Sequence, residues 1–244
     1  LASPEHLVDL SGIGNLKGIS VEGGDIVIGA MTTQHELIHS DELATHLPII
    51  AETSRLIADP QIRYKGTFGG NVANGDPGND MPALMMCLGA TYAVTGPDGS
   101  REIAARDFYQ GAYFTSLEHG EILTAVRIPI PSPDHGYAYE KLKRKVGDYA
   151  TAAAAVVITM ADGKCTSASI GLTNVSETPL WASEAASLLV GTSLDKASVD
   201  AAVAAAEAIT EPASDMRGPA EYRTKMAGVM MRRALERAQS RAKG

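Results

Sequence analysis

The stretch TFGGNVANGDPGND at residues 67–80 constrains the fold most, because it places turn-forming residues directly before an apolar segment. The adjacent residues Gly69 and Gly70 lack Cβ atoms, so they can adopt positive φ and let a ligand approach the main chain. Successive N–H groups in such a loop form a concavity that suits a phosphate or a diphosphate. Thr67 and Asn71 could add a hydroxyl and an amide to the same site. The stretch therefore predicts a flexible loop that a ligand organises.

A second interpretation of the same stretch needs no ligand. TFGGN can form one tight turn, and NGDPGND a second turn that caps the following apolar segment as a helix. Asp80 would then be the N-cap, whereas in a nucleotide site its carboxylate would accept hydrogen bonds from ribose hydroxyls. Glycine-rich patterns occur in many unrelated loops, so the spacing alone leaves both interpretations open.

Composition narrows the class of protein. The 244 residues carry a net charge of −8, which argues against nucleic-acid binding because phosphate neutralisation needs a basic face. The longest apolar run, AAAAVVITM at 152–160, is too short to span a bilayer, so no transmembrane segment is expected. No secretory signal opens the chain, and we therefore expect a cytoplasmic protein.

The residues that most often bind metals are sparse. Cys87 and Cys165 lie in apolar or small-residue surroundings and favour two buried thiols over one disulfide. No CxxC pair occurs, so this chain cannot hold an iron–sulfur cluster by itself. His35 and His39 are four residues apart on a predicted helix, where a solvated face is the favoured interpretation and a metal site the alternative. We expect no metal site on this chain.

Hydrophobic periodicity and turn residues predict an α+β protein divided near residue 134. The predicted elements of 1–133 are two strands within 18–30, a helix from the Thr33–Glu36 capping box, a helix over 41–58 broken at Pro48, a helix after Asp80, a hairpin at 91–103 and a strand at 120–130. The proline-rich stretch 129–136 is the predicted linker. The predicted elements of 134–244 are three antiparallel strands, then helices near 180–190, 195–210 and 219–242.

A basic segment, EKLKRKVGDYAT, forms the second candidate site. Lys141, Lys143, Arg144 and Lys145 would form a positive patch, and Tyr149 could lay its ring against a flat heterocycle. The favoured alternative places the basic residues on the wet face of an edge strand, where charge prevents aggregation.

Taken together, these stretches resemble the FAD-binding medium subunits of molybdenum hydroxylases. The resemblance is carried by VIGAMTTQHELI, LIADPQIRYKGTFGGNVANGDPGNDMPAL, ARDFYQGAYFT, ILTAVRIP, YAYEKLKRKVGDYATAAAAVVITM, SIGLTNVSETPLWA and RGPAEYRTKMAGVMMRRAL. It covers essentially the whole chain. It implies a vanillyl-alcohol-oxidase-like (PCMH-type) FAD-binding domain at 1–133 and a C-terminal flavoprotein domain at 134–244. The family's first diphosphate loop, an AGG-type loop, would lie ahead of Leu1, so the first subdomain is expected to be absent here.

The resemblance also implies which residues bind FAD. The TxGGN segment would hold the diphosphate, Asp80 would lie near the adenosine ribose, Leu123 would line the flavin pocket, and Tyr149 would lie near the isoalloxazine ring with Lys141 close by. Phe68 stands where Ile or Val is usual and is expected to be a packing anchor within the binding segment. The implied FAD-binding residues are Thr67, Phe68, Gly69, Gly70, Asn71, Asp80, Leu123, Lys141 and Tyr149. No catalytic residue is expected on this chain.

The implied function is electron transfer within a larger complex. A large subunit with a molybdenum cofactor would oxidise the substrate, first of all CO and water to CO2. Two-iron iron–sulfur clusters on a small subunit would pass the electrons to FAD on this chain, and FAD to a quinone or another acceptor. The complex is expected to be a dimer of heterotrimers, with peripheral association at the inner face of the cytoplasmic membrane as a further expectation. The alternatives are a purine, nicotinate or aromatic-acyl-CoA hydroxylase, and a flavin-free assembly scaffold.

Overall fold

The computed structural model describes residues 5–243. Two runs of alternating apolar residues form the first two strands of the fold. The strands β1 (Ile19–Glu22) and β2 (Asp25–Gly29) pair antiparallel across Gly23-Gly24. Both glycines of this turn adopt positive φ, a region that residues with a Cβ rarely enter. The hairpin predicted within 18–30 is therefore confirmed.

This hairpin belongs to a five-stranded antiparallel sheet with the order β1-β2-β7-β3-β4. The remaining strands ahead of the linker are β3 (Thr91–Gly96), β4 (Gly99–Ala104), β5 (Tyr109–Gly111), β6 (Phe114–Thr115) and β7 (Ile122–Pro129). β3 and β4 form the predicted hairpin, and β7 lies between β2 and β3. β5 and β6 form a separate two-stranded ribbon.

The helices ahead of the linker are short. They are α1 (Gln34–Ile38), α2 (Asp41–His46), α3 (Pro48–Leu56), α4 (Pro60–Arg63), α5 (Phe68–Ala73), α6 (Asp80–Leu88) and α7 (Ala105–Phe108). The predicted capping box is present at α1, since the Thr33 hydroxyl accepts from the Glu36 N–H and the Glu36 carboxylate accepts from the Thr33 N–H. The predicted break at Pro48 separates α2 from α3.

The five-stranded sheet packs against these helices to form the first hydrophobic core. Ile26 of β2 and Val126 of β7 are fully buried there, as are Phe68 of α5 and Leu84 of α6. Burial of a side chain of this size contributes about 1.5–3 kcal/mol to folding. Phe68 is thus a packing anchor, as expected, and it holds α5 against the sheet.

The second sheet has one strand more than predicted. Its strands are β8 (Gly136–Leu142), β9 (Ala152–Ala161), β10 (Lys164–Thr173) and β11 (Leu180–Trp181), in the antiparallel order β11-β10-β9-β8. β11 pairs only two of its residues with β10, and a strand this short shows no alternation in the sequence. The three predicted helices are present as α8 (Ser183–Leu189), α9 (Lys196–Ala208) and α10 (Ala220–Arg241).

Both cysteine thiols are buried and form no disulfide, as predicted. Cys87 and Cys165 are both free, and burial raises the pKa of the Cys87 thiol to about 12. Within residues 5–243, no group of three or more His, Cys, Asp and Glu side chains could hold a metal ion. Nor does any helix of that range combine the length and apolar character that a membrane span requires.

The parts of the chain before and after the linker meet where α6 crosses β10. A Cβ added to Gly171 of β10 would lie 2.2 Å from the carbonyl oxygen of Ala83 in α6. The neighbouring Cys87 thiol lies 3.2 Å from the Ser169 carbonyl oxygen, within hydrogen-bonding distance. The helix and the strand therefore touch through their main chains, and only glycine allows this approach.

We predict that Gly171→Ala destabilises the protein by about 1–3 kcal/mol, because the new methyl group would force the main chains of α6 and β10 apart. Chemical denaturation of the purified chain measures this change. Gly12→Ala is the matched control, since a Cβ at Gly12 meets nothing within 4 Å. Equal midpoints for Gly171→Ala and the wild type would contradict the packing described here.

Candidate cofactor-binding site

The first half of the glycine-rich segment is a capped helix, α5, and not the flexible loop of the first interpretation, whereas residues 74–79 form the turn ahead of α6 that the second interpretation predicted. Thr67 is the N-cap of α5, and its Oγ1 accepts a hydrogen bond from the Gly70 N–H at 3.1 Å. Gly69 and Gly70 lie inside the helix, whereas Gly75 further along adopts positive φ. A threonine at the N-cap satisfies an amide that would otherwise lack a partner, so the helix forms despite the low helix propensity of two glycines.

The first amides of α5 are also not free, which corrects the prediction of an open amide cradle. The Phe68 N–H donates to the Thr32 carbonyl at 2.7 Å, and the Gly69 N–H donates to the Ala30 carbonyl at 2.8 Å. A Cβ on Gly69 would lie 2.5 Å from the Ala30 Cβ. Gly69 is therefore required for packing against the segment after β2, and its amide is used within the protein.

Two side-chain donors remain at this helix terminus. The Asn71 Oδ1 accepts a hydrogen bond from the Met81 N–H at 3.2 Å, which orients the amide group. The Asn71 Nδ2 donates to nothing among the described residues, and the Thr67 hydroxyl likewise has a proton to donate. The terminus of α5 therefore offers side-chain donors where main-chain donors were predicted.

Asp80 begins α6, but Asn79 occupies the N-cap position that was predicted for Asp80. The Asp80 carboxylate is buried and uses both oxygens: Oδ1 accepts from the Tyr139 hydroxyl and Oδ2 from the Lys141 ammonium, each at 2.7 Å. The Tyr139 hydroxyl also lies 3.2 Å from the Thr173 Oγ1. Burial, followed by the Asp80 charge, raises the pKa of Tyr139 well above its usual value, so the phenol stays protonated.

The basic segment divides into buried and exposed residues, which neither interpretation of the sequence predicted. The Lys141 side chain is only 2% exposed and pairs with Asp80. The Lys143 ammonium donates to the Leu56 carbonyl at 3.2 Å, and burial lowers the pKa of Lys143. Arg144 pairs with Asp148 at 3.0 Å on the surface. β8 ends at Leu142, so the alternation expected through residue 145 is interrupted by a turn.

Tyr149 packs its ring against the turn ahead of α6. A Cβ on Gly78 would lie 2.9 Å from the Tyr149 Cδ1 atom, so the ring rests directly on that backbone. Burial raises the pKa of Tyr149 to about 12, with the nearby Asp76 carboxylate as the next cause. Asp76 also accepts from the Tyr113 hydroxyl at 3.0 Å. Tyr149 remains 44% exposed, with the Arg217 guanidinium 5.7 Å from its ring centroid, and a flat ligand can reach the rest of the ring.

Most of the predicted binding residues line one cleft with two adjoining ends. The threonine end, about 280 Å³, is lined by Gln34, Ile57, Ile62, Arg63, Gly66, Thr67, Gly70, Asn71, Asn74 and Asn79. The tyrosine end, about 300 Å³, is lined by Ile57, Ala58, Ile62, Asn71, Asn79, Asp80, Lys141, Gly147, Asp148 and Tyr149. Four residues line both ends, so the two ends are adjacent.

Three of the predicted residues lie outside the lining of this cleft. Phe68 and Gly69 are buried residues of α5, and Leu123 of β7 is 6% exposed in the first core, paired with Val94. A larger cavity of about 810 Å³ lies elsewhere, beside Asp215 and Arg223, and none of the predicted binding residues lines it. We assign the site to the smaller cleft because the predicted residues converge there.

The cleft also contains residues that the sequence analysis missed. Gln34 and Arg63 line the threonine end, and Ile57 and Ile62 form an apolar wall of both ends. An isolated bridge between Thr33 and Thr67 brings the start of α1 beside the start of α5. These contacts are long-range, although the position of IADPQIR directly before the motif was a usable signal for Ile57, Ile62 and Arg63.

The chemistry of the cleft fits FAD. The threonine end combines the Arg63 guanidinium with the Thr67 hydroxyl and the Asn71 amide, and no carboxylate occurs among its lining residues. Such a donor set suits a diphosphate. The exposed Tyr149 ring at the other end suits a planar ring system. A dinucleotide that carries both an anionic diphosphate and a planar ring supplies a partner for each of these two ends.

Comparison with known proteins agrees with this fit. A family model described as the FAD-binding domain in molybdopterin dehydrogenase matches residues 1–131, more than half of the chain. The chain belongs to this family. A second model, the C-terminal domain of CO dehydrogenase flavoprotein, matches residues 137–238 of this FAD-binding family member. The resemblance inferred from the motifs is confirmed, and so is a mixed α and β fold with antiparallel sheets.

Several members of the family are closely similar over nearly the whole chain. The carbon monoxide dehydrogenase medium chain of Afipia carboxidovorans is 75% identical, with 100% of this chain and 84% of the relative covered. The medium chain from Hydrogenophaga pseudoflava is 47% identical, with 98% and 84% covered. A solved Cu,Mo-CO dehydrogenase in a cyanide-inactivated form superposes with a TM-score of 0.99 at 75% identity, covering 99% of this chain and 85% of that one. Quinoline 2-oxidoreductase from Pseudomonas putida 86 gives 0.92 at 36% identity, covering 98% and 83%.

We predict that either Asp80→Leu or Lys141→Met alone destabilises the flavin-free protein by about 3–5 kcal/mol, because each leaves one buried charge without its partner. The double variant should recover most of that loss, since neither charge of this pair then remains buried without its partner. Denaturant unfolding of the wild type, the two single variants and the double variant measures the coupling.

Lys196→Met is the control, because the Lys196 side chain is 88% exposed in its pair with Asp200 and should change stability little. Additive losses in the Asp80–Lys141 double variant would show that the two side chains do not form a coupled buried pair.

Proposed function

We propose that this chain is the FAD-carrying medium chain of an aerobic carbon monoxide dehydrogenase and passes electrons from partner subunits to an external acceptor. The observation that carries the proposal is the 75% identity over 243 residues to the medium chain of Afipia carboxidovorans. The superposition on the solved Cu,Mo-CO dehydrogenase supports it, because the fold agrees throughout both matched domains.

In this proposal the cleft binds FAD with the diphosphate at one end, and the parts of FAD on both sides of the diphosphate turn toward the other end. The diphosphate lies at the threonine end, where the Thr67 hydroxyl and the Asn71 Nδ2 donate to it beside the start of α5. The adenosine ribose lies near Asp80, whose oxygens each retain a second acceptor lone pair besides their bonds to Tyr139 and Lys141. Gly70 keeps this surface free of a side chain.

The isoalloxazine ring is proposed to lie beside Tyr149, whose exposed ring face is held by packing on Gly78. Lys141 contributes to this site indirectly, as the buried ion-pair partner of Asp80. Phe68 and Gly69 act indirectly by seating α5, through burial and through the contact with Ala30. Contact between Leu123 and the flavin stays a prediction, since Leu123 lies in the first core and outside the lining of the cleft.

Bound FAD would supply a carrier that takes up electrons and releases them again. The proposed overall reaction converts CO and water to CO2, two protons and two electrons, on the large molybdenum subunit. A two-iron cluster needs four protein ligands, and this chain has two cysteines, both buried, so the clusters are assigned to the small iron–sulfur subunit. The protein groups of this chain bind and orient the cofactor and exclude water from it.

The architecture and the assembly are part of the same proposal. We place a vanillyl-alcohol-oxidase-like (PCMH-type) domain at 1–133 and the C-terminal flavoprotein domain at 134–244; the limits of the two matched family models support this division. The complex would be a cytoplasmic dimer of heterotrimers that delivers electrons to a quinone, at the inner face of the membrane if the complex associates with it.

A heterocycle hydroxylase is the second candidate. The quinoline enzyme superposes closely, and a nicotine 6-hydroxylase medium subunit from Paenarthrobacter nicotinovorans is 34% identical. The lower identity of both ranks this candidate behind CO dehydrogenase. A flavin-free scaffold is the third, and the donor set of the cleft argues against it.

The proposal predicts that CO bleaches the visible absorption of oxidised flavin in the assembled complex under anaerobic conditions. Quinoline, nicotine and xanthine should leave the same absorption unchanged over the same time. The spectrum of each mixture, recorded before and after addition, measures both responses.

Bleaching by a heterocycle and not by CO would favour the second candidate. An assembled complex that shows no flavin absorption after incubation with FAD would favour the scaffold. Gly70→Val serves as a control that should lose flavin, because its side chain would project from the N-terminal turn of α5 where Thr67 Oγ1 already lies 2.8 Å from an added Cβ.

A further inference from the structure

Gln34 is a buried side chain without hydrogen-bond partners. It is 2% exposed, and neither its Oε1 nor its Nε2 atom has a partner among the described residues. A buried amide group left unpaired costs about 1–3 kcal/mol for each unsatisfied group. An apolar side chain of the same size would avoid this cost, so a glutamine here needs a partner from outside the described residues.

The location of Gln34 indicates what that partner is. Gln34 is the first residue of α1, and its main-chain N–H donates to the Gly66 carbonyl at 2.9 Å, directly before Thr67. The residue lines the threonine end of the cleft together with Thr67 and Asn71. The start of α1 and the start of α5 thus both line the threonine end of the cleft.

The charged and polar groups around Gln34 favour binding of an anion. Arg63 lines the same end, and its Nη1 is fixed by the carbonyls of Ile57 at 2.8 Å and Ala58 at 3.2 Å. No carboxylate and no aromatic ring occurs among the lining residues of this end. The available groups are therefore a cation, a hydroxyl and side-chain amides, which suit phosphate oxygens better than a flavin or an adenine ring.

We propose that Gln34 is a further cofactor-binding residue, whose Nε2 donates a hydrogen bond to the diphosphate of FAD. This inference rests on the proposed function and adds a third side-chain donor to Thr67 and Asn71. The bond would give the buried amide its partner, and the start of α1 would become part of the diphosphate site.

Gln34→Met tests the proposal, since methionine has nearly the same length and shape but no amide. The full chain, freed of flavin, is titrated with FAD and separately with ADP, which carries the diphosphate without the flavin. We expect both dissociation constants to rise by roughly ten- to hundredfold, as for a lost hydrogen bond to a charged group. The thermal midpoint of the flavin-free variant should equal or exceed that of the wild type, because an unpaired buried amide is removed.

The control is Gln239→Met, at an exposed glutamine of α10 that does not line the cleft, and it should leave both constants unchanged. Unchanged FAD affinity in Gln34→Met would overturn the proposal, and weaker FAD binding with unchanged ADP binding would overturn the assignment to the diphosphate. A lower thermal midpoint of the flavin-free variant would mean that the amide has a structural partner, which also overturns it. A wild-type chain that binds no FAD would contradict the proposed function and, with it, this inference.

Discussion

The buried ion pair between Asp80 and Lys141 is the interaction on which the cleft depends. Asp80 begins α6 ahead of the linker, and Lys141 lies on β8 after it, so the pair joins the two parts of the chain at the floor of the tyrosine end. Tyr139 extends the pair to Thr173 on β10. Because both charges are buried, separating them would leave each charge unpaired inside the protein, which is strongly unfavourable. The pair therefore holds the floor of the tyrosine end in one arrangement.

The other end of the cleft depends on how α5 is seated. Its first amides are used by the carbonyls of Ala30 and Thr32, and the close contact at Gly69 fixes the distance between the helix and the segment after β2. The main-chain donors at this terminus are thus bonded within the protein, and only side-chain donors remain for the proposed ligand. A site built this way can be rigid before the ligand arrives, which lowers the ordering cost of binding.

Local signals predicted the fold well, and long-range contacts account for what they missed. The Gly23-Gly24 hairpin, the capping box at Thr33 and the break at Pro48 were all predicted because a few neighbouring residues determine each of them. The prediction of a loop at α5 was wrong, since glycine disfavours helix and the contacts of Gly69 with Ala30 cannot be read from the sequence. β11 was missed because two paired residues show no pattern.

The candidate site divides in the same way. The motif predicted the Thr67–Asn71 segment and Asp80 as site residues, whereas the burial of Lys141 follows from a partner 61 residues away. The unpaired state of Gln34 is likewise a property of its surroundings, which a sequence does not display. Residues whose role depends on what packs around them could not be assigned before the fold was known.

A density map of the FAD-loaded complex would show whether the start of α5 holds the cofactor's diphosphate, as we propose. We expect phosphate oxygens within hydrogen-bonding distance of the Thr67 Oγ1 and the Asn71 Nδ2 atoms. Diphosphate density in the larger cavity beside Arg223, with solvent alone at Thr67, would contradict it.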